Sequence, residues 1–206
     1  MNIIYDRSFF MNTKCDIETK FAKFYKIKSG NKESIIKIFK EPYKDFFSSK
    51  KYYLLKNLKT PLMINIEYIN EADPFYVQYE YFESMTLKSW LQANNEIDKN
   101  TLLLVLTNMA EVIDFFHINN LAHLDIVGNF LINKQGYIKL NDYDYVEQID
   151  GKEIYKIDLH SFFELVYRLI FFLDRKQSTN SIELKFNNID VDYTSCKKFL
   201  DSLNIR

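Results

Sequence analysis

The sequence predicts an α+β fold in which a β-rich amino-terminal part is followed by a mainly helical part. Residues 21–27 and 33–39 are apolar or alternating runs that flank Ser29-Gly30-Asn31-Lys32, a pattern typical of a β-hairpin. Apolar side chains recur at helical spacing through 99–119, which predicts a long buried helix. Two further strands are expected between these regions, at 64–69 and 76–79.

Composition limits the classes of protein to which the chain can belong. Hydrophobic residues make up 47% of its 206 residues and aromatic residues 17%, which supports one domain or two closely packed lobes. The formal net charge of −1 argues against nucleic acid or an anionic membrane as the main partner. The longest apolar run, 169–173, is too short to span a bilayer, so no membrane span is expected.

The cysteines and the start of the chain indicate a cytoplasmic protein. Cys15 and Cys196 lie far apart and have no neighbours at metal-ligand spacing, so neither a disulfide framework nor a zinc site is expected. Asp6 and Arg7 interrupt the apolar residues near the amino terminus, which is not typical of a signal peptide. A reducing compartment is therefore predicted.

Three more helices are predicted from their boundaries. The first covers 43–58, between Pro42 and Pro61, with Phe46 and Phe47 among its apolar positions. Thr86 is expected to cap the second helix, and the third closes the chain at 194–203.

The segment 121–144 carries the residues best suited to chemistry. It places His123, Asp125 and Asn129 in a short loop, and Asp142 follows a predicted hairpin whose strands are 130–132 and 137–140. Carboxylates at the two ends of such a hairpin can reach one point in space, and the amide adds a neutral oxygen. Ligands of this kind suit Mg²⁺, which takes one or two carboxylates and leaves other positions to phosphate and water.

This order of residues resembles the core of the protein-kinase superfamily, in which His-Arg-Asp, an asparagine and Asp-Phe-Gly follow one another. Here the motifs read His123-Leu124-Asp125, Asn129 and Asp142-Tyr143-Asp144. The resemblance implies that Asp125 orients and deprotonates the acceptor hydroxyl, while Asn129 and Asp142 hold Mg²⁺ against the phosphates of ATP. His123 would support the loop.

The spacing of the catalytic loop differs from that of the family. Only three residues separate Asp125 from Asn129, where the family has four. Either the loop is one residue shorter or Asn129 is displaced from the metal. Val127 stands where protein kinases acting on serine or threonine usually carry a lysine.

The strand 34–39 resembles the lysine-bearing strand of the family, which implies that Lys37 holds the α- and β-phosphates of ATP. The alternative is an edge-strand lysine that faces water. The family's glycine-rich loop has no counterpart, since 11–20 contains no glycine, and Lys51 stands where the family's helix carries a glutamate.

Residues 79–87 resemble the kinase hinge. By that resemblance Tyr79 is the gatekeeper, and the Glu80 carbonyl and the Phe82 amide bind adenine. Further on, Asp158 is expected to hydrogen-bond the backbone of the catalytic loop. The segment 145–155 is much shorter than the family's activation segment and lacks its Ala-Pro-Glu anchor.

The resemblance implies a reduced, two-lobed protein kinase-like fold: a single domain of residues 1–206, with a small β-rich amino-terminal lobe at 1–81 and a mainly helical lobe at 82–206. The predicted function is ATP- and Mg²⁺-dependent phosphotransfer to a serine or threonine hydroxyl of a protein. A pseudokinase that acts as a binding module, or a small-molecule kinase acting on a sugar or antibiotic, are the alternatives. Small kinases of this sort are known among bacterial effectors and viral proteins, so a host protein is one candidate substrate and delivery into a host cell without a cleaved signal is one candidate route. The oligomeric state is left open.

Overall fold

The structure is a computed structural model that describes residues 4–41, 43, 49–94, 97–150, 153–176, 184–185 and 195–205. The chain forms two compact units, Met1–Glu83 and Ser84–Arg206. The α+β class predicted from the sequence is confirmed, because an antiparallel sheet forms in the first unit and long helices follow in the second.

The first unit contains a five-stranded antiparallel sheet of order β1-β2-β3-β5-β4. Its strands are β1 (Ile17–Glu18), β2 (Ala22–Ser29), β3 (Lys32–Phe39), β4 (Ile66–Asn70) and β5 (Tyr76–Glu80). The predicted hairpin is therefore present, with Gly30 and Asn31 as its two-residue turn. Gly30 has φ +61°, a conformation that glycine adopts without the steric cost of a side chain.

Helix α1 (Arg7–Asn12) covers one face of this sheet. Asp6 caps the helix by accepting a hydrogen bond from the Phe9 amide at 2.9 Å. Phe9 and Phe10 pack on a cluster that includes Tyr25 and Tyr76. Aromatic packing therefore ties the residues before the sheet to its apolar face.

Helix α2 (Ser49–Asn57) packs against β4 and buries Tyr52 and Leu55. It contributes to the other face of the sheet, since the Tyr52 ring lies 6.0 Å from that of Phe39. The predicted helix began earlier, at residue 43. Pro42, Phe46 and Phe47, on which that boundary rested, lie outside the described residues.

The second unit combines helices with short strands. Its elements are β6 (Met85–Thr86), α3 (Leu87–Ala93), α4 (Lys99–Ile118), β7 (Leu121–Ala122), β8 (Phe130–Ile132), β9 (Ile138–Leu140), β10 (Glu147–Gln148), α5 (Tyr155–Lys176), β11 (Leu184–Lys185), α6 (Cys196–Ser202) and β12 (Asn204–Ile205). Thr86 caps α3 as predicted, because its Oγ1 accepts from the Ser89 amide at 3.2 Å.

Helix α4 is the long buried helix that the apolar spacing predicts. Asp98 caps it by accepting from the Thr101 amide at 3.0 Å. Among the described residues it is the one helix long and apolar enough to cross a membrane by length and composition alone. One side of the helix, however, is buried within the unit, while Leu104 and Ile118 are exposed. The buried residues are Leu102, Val105, Leu106, Met109, Ala110, Val112, Ile113 and Phe116. This burial is what a core helix requires.

Helix α6 is the predicted closing helix, and it docks on α4. Asp114 of α4 accepts from the amides of Cys196 and Lys197 at 2.8 and 3.0 Å, which satisfies two donors at the start of α6. Cys196 is buried, and that burial raises the pKa of its thiol well above the ordinary value. Thr194, the predicted first residue of this helix, lies outside the described residues.

Candidate active site

Lys37 lies on β3, the middle strand of the first unit's sheet, between Phe24 of β2 and Val77 of β5. Only 3% of its surface is exposed, which excludes the alternative of an edge-strand lysine facing water. Its Nζ lies 5.5 Å from the ring centroid of Phe24 and 5.2 Å from that of Phe39. Aromatic faces so placed stabilise a buried ammonium group.

Thr19 closes the turn between β1 and β2, since the Thr19 amide donates to the Ala22 carbonyl at 2.9 Å. The amides of Phe21 and Ala22 donate to Thr19 Oγ1 at 3.3 and 3.0 Å. Backbone amides that bind a side chain of their own turn are not available to cradle phosphate.

The residues predicted to form the hinge lie at the end of β5. Tyr79 is buried, and Glu80 is fixed by Asn65 in two ways: the Glu80 amide donates to the Asn65 carbonyl at 3.0 Å, and the Asn65 amide donates to Glu80 Oε1 at 2.9 Å. Phe82 follows outside regular structure. Contact of Glu80 and Phe82 with adenine stays a prediction.

In the second unit, Asp125 and Asn129 share one hydrogen-bonded loop. Asn129 Nδ2 donates to the Asp125 carbonyl at 2.6 Å and to Asp125 Oδ2 at 3.0 Å. The shorter loop therefore still brings the Asn129 amide to the Asp125 carboxylate, while the binding of a metal by Asn129 stays a prediction. Gly128, at φ +94°, makes the tight connection, and open space surrounds the position of its missing Cβ.

Asp158, which is fully buried at the start of α5, holds the backbone of this loop. Its Oδ2 accepts from the His123 amide and its Oδ1 from the Leu124 amide, each at 2.7 Å. His117 Nε2 lies 3.1 Å from Oδ2. A buried carboxylate needs such donors to offset its loss of hydration.

His123 joins the loop to the hairpin that follows. Its Nε2 lies 3.1 Å from the Asn141 carbonyl, which can only accept, so Nε2 carries the proton. Burial lowers the pKa of His123, an effect opposed in part by Asp158, by the Asn141 hydrogen bond and by the charges of Asp142 and Asp125. A neutral imidazole also suits the buried Nδ1, which has no hydrogen-bond partner among the described residues.

Asp142 is placed by the hairpin of β8 and β9. The Asn141 amide donates to the Asn129 carbonyl at 2.9 Å, so the residue beside Asp142 is bonded to the residue that contacts Asp125. Tyr143 is fully buried, and its hydroxyl donates to the Leu140 carbonyl at 2.9 Å. This arrangement anchors one neighbour of Asp142 in the core and the other to the catalytic loop.

Two residues of these motifs have left-handed backbone conformations, Leu124 at φ +66° and Asp142 at φ +57°. Such conformations cost roughly 1–3 kcal/mol for residues other than glycine and persist where the surroundings impose them. The hydrogen bond from the Leu124 amide to Asp158 and the burial of Tyr143 beside Asp142 supply those constraints. Strain of this kind is concentrated at functional sites.

The segment after Asp144 is bonded to the strand that precedes the catalytic loop. Glu147 and Gln148 pair with Ala122 and Leu121 as β10 and β7. The Ile149 amide donates to the Asn120 carbonyl at 2.9 Å. Little of the predicted segment 145–155 is therefore left to form a switch, although 151–152 lie outside the described residues.

The oxygen donors of the second unit fit Mg²⁺. Asn129 uses its Nδ2 to bind Asp125, which leaves its Oδ1 as the group suited to a metal. Within the described part of the chain, no group of three or more His, Cys, Asp or Glu side chains could hold a metal alone. Such a set suits a cation that is shared with phosphate and water.

Two residues near the site lie outside the sequence motifs. His117 is one of them, and its Nε2 lies within hydrogen-bonding distance of Asp158. The sequence feature that indicates such a contact is the position of His117 near the end of α4, one helix turn after the buried Ile113. Thr19 is the other, and it has no sequence signal because a hydroxyl that bonds its own turn gives no recurring pattern.

Comparison with known proteins identifies the class. The model of the protein kinase domain matches residues 17–163, and the chain belongs to this family. The serine/threonine-protein kinase cds1 of Schizosaccharomyces pombe is 28% identical over 144 residues, 69% of this chain and 31% of that protein. The serine/threonine-protein kinase PrkC of Bacillus subtilis is 33% identical over 100 residues, 48% of this chain and 15% of that protein.

A third relative is the human cyclin-dependent kinase-like 4, which is 31% identical over 96 residues, 46% of this chain and 25% of that protein. The matches thus cover less than a third of each of these three relatives. The predicted family is confirmed, while the activity and partners of those larger proteins are not transferred by the match.

Proposed function

We propose that this chain is an ATP- and Mg²⁺-dependent protein kinase that transfers the γ-phosphate of ATP to serine or threonine hydroxyls of a protein. The observation that carries the proposal is the loop in which Asn129 binds both the backbone and the carboxylate of Asp125, tied through Asn141 to Asp142. Membership of the protein kinase family supports the reaction class.

Each residue has a separate task. Asp125 accepts the proton of the acceptor hydroxyl and orients it, while Asn129 Oδ1 and the Asp142 carboxylate provide oxygen ligands for the metal. Lys37 holds phosphate oxygens, and the backbone at Glu80 and Phe82 binds adenine, with Tyr79 as the gatekeeper. Bound Mg-ATP supplies the activated phosphoryl group.

The test is phosphate transfer from labelled ATP to a mixture of proteins, with the wild type and two isosteric variants. Asp142→Asn removes the charge at the proposed metal ligand and keeps a residue that tolerates φ +57°. We expect a loss on the order of a hundredfold or more. Asp150→Asn makes the same change at an exposed position and should transfer at the wild-type rate. Equal rates for wild type and Asp142→Asn would refute the assignment.

A second candidate is a pseudokinase that acts as a binding module. The observation in its favour is the β1–β2 turn, in which Thr19 Oγ1 accepts from the amides of Phe21 and Ala22. The lack of a glutamate in α2, where Lys51 occupies the expected position, agrees with it. Thermal unfolding with Mg-ATP separates the two functions, because a ligand that binds only the folded state raises its stability. The absence of both a shift in the unfolding temperature and phosphate transfer at millimolar Mg-ATP would favour the pseudokinase.

For location and substrate, we propose that the protein works in the cytoplasm and acts on a protein, with a host protein as one candidate. The support is chemical: Cys15 and Cys196 are both free thiols, which suits a reducing compartment. Fractionation of cells that produce the protein tests the location.

A further inference from the structure

The first unit has a polar cavity of about 500 Å³ that is lined by residues of its sheet and by residues near the end of α2. Ser34 and Gln78 line it from β3 and β5, on the same face as Ile36. A cavity of this volume is within the range of sites that bind small molecules. Since the residues assigned above to catalysis do not line it, it is a separate feature of the molecule.

An acidic side chain in the cavity, Glu67, is already satisfied by donors. Its Oε2 accepts from Ser34 Oγ at 2.8 Å and from Gln78 Nε2 at 3.2 Å. Its Oε1 lies 2.8 Å from Lys32 Nζ. Ser34 is 3% exposed, so this network is built into the sheet. The charges of Glu67 and Lys32 therefore cancel locally.

Two further cations line the cavity, Lys56 near the end of α2 and Lys59 just after it. The side-chain ammonium group of neither lysine has a hydrogen bond or an ion pair with any residue that the structure describes. With Glu67 and Lys32 neutralised, the cavity has an excess of two positive charges. Two neighbouring ammonium groups repel each other, and a bound dianion removes that repulsion.

We propose that this cavity binds a small phosphorylated molecule through its phosphomonoester group. A phosphomonoester has a charge of about −1.5 to −2 near pH 7, which matches two lysines, whereas a carboxylate has a single charge. The cavity lining is mainly polar, and Tyr5 and Ile66 provide its few apolar surfaces. This composition suits a compact polar ligand better than an apolar peptide anchor. The site is independent of the proposed catalytic function.

The test is titration of the 206-residue protein by calorimetry at constant ionic strength. The probes are inorganic phosphate, glucose 6-phosphate, acetate and a phosphoserine peptide. Lys56→Gln combined with Lys59→Gln should weaken the binding of glucose 6-phosphate at least tenfold. The matched control combines Lys14→Gln with Lys50→Gln, removing the same charge from exposed positions outside the cavity lining, and should change affinity less than twofold.

Mapping the site on the wild-type protein avoids dependence on the folding of a variant. In ¹⁵N-labelled protein, glucose 6-phosphate should shift the amide signals of Ser34 and Gln78. Equal affinity in the Lys56/Lys59 variant, unshifted signals at Ser34 and Gln78, or acetate binding as tightly as phosphate would overturn the site. Binding of the phosphoserine peptide without the free phosphomonoester would overturn its assignment to a small molecule.

Discussion

Asp158 provides the sharpest test of how the catalytic loop is held. The change is Asp158→Asn, which keeps the size of the side chain and removes its charge. In the wild type, the two carboxylate oxygens accept from the His123 and Leu124 amides, each at 2.7 Å. The side-chain amide of the variant has one oxygen to accept from these two backbone donors, and its NH₂ group faces the donor that is left.

The magnitude follows from these contacts. A hydrogen bond to a charged group stabilises by about 1.5–3 kcal/mol, and a donor left unsatisfied in the core adds about 1–3 kcal/mol. Removal of the buried charge also removes the cost of its desolvation, which offsets part of this loss of stability. We therefore expect a net loss of about 2–3 kcal/mol in the free energy of unfolding, a roughly 30- to 160-fold fall in the ratio of folded to unfolded protein.

Urea unfolding at neutral pH measures this loss, with Asp150→Asn as the control. Asp150 is exposed, so its substitution should change the free energy of unfolding by no more than about 0.5 kcal/mol. If Asp158→Asn also remains within about 0.5 kcal/mol of the wild type, the two short hydrogen bonds do not stabilise the loop as argued.

Three further outcomes are expected. Burial lowers the pKa of His123 below 6.5, so the unfolded chain gains a proton that the folded chain does not as pH falls below about 6.5, and the free energy of unfolding decreases. In urea titrations at several pH values, His123→Gln should flatten this pH dependence. Equal slopes for the variant and the wild type would contradict this reasoning. Phe10→Ala should lower the free energy of unfolding by about 2 kcal/mol, since the Phe10 ring lies 5.1 Å from that of Tyr25. The control Met11→Ala changes an 84% exposed position and should have little effect on the same measurement. Phosphatase treatment should leave phosphate transfer unchanged, because β10 is paired with β7; a large loss restored by self-phosphorylation would show that the segment is a switch after all.

The elements with local signals could be predicted from the sequence. Gly30 and Asn31 between two apolar runs indicate a hairpin, and the apolar positions of α4 recur with the period of a helix. Order along the chain then indicated the family, because a strand lysine and three polar motifs follow one another at kinase-like intervals. The roles of Lys37, Asp125, Asn129 and Asp142 stay predictions.

Features that depend on the course of the chain in space could not be predicted. The sequence did not show whether the short loop brings Asn129 to Asp125, because that contact depends on the φ of Gly128 and on two hydrogen bonds. The contact of His117 with Asp158 joins residues 41 positions apart. The cavity beside Glu67 is lined by residues from four strands and from the end of α2, and no local sequence pattern indicates that these residues lie together.

We propose that the motifs around Asp125 and Asp142 transfer phosphate to protein hydroxyls. Mass spectrometry of a protein lysate incubated with Mg-ATP and either wild type or Asp142→Asn tests it most directly. We expect new phosphoserine and phosphothreonine sites with the wild type, absent with Asp142→Asn and retained with Asp150→Asn. New sites that appear equally with Asp142→Asn, or phosphate transferred to small molecules and to no protein, would contradict it.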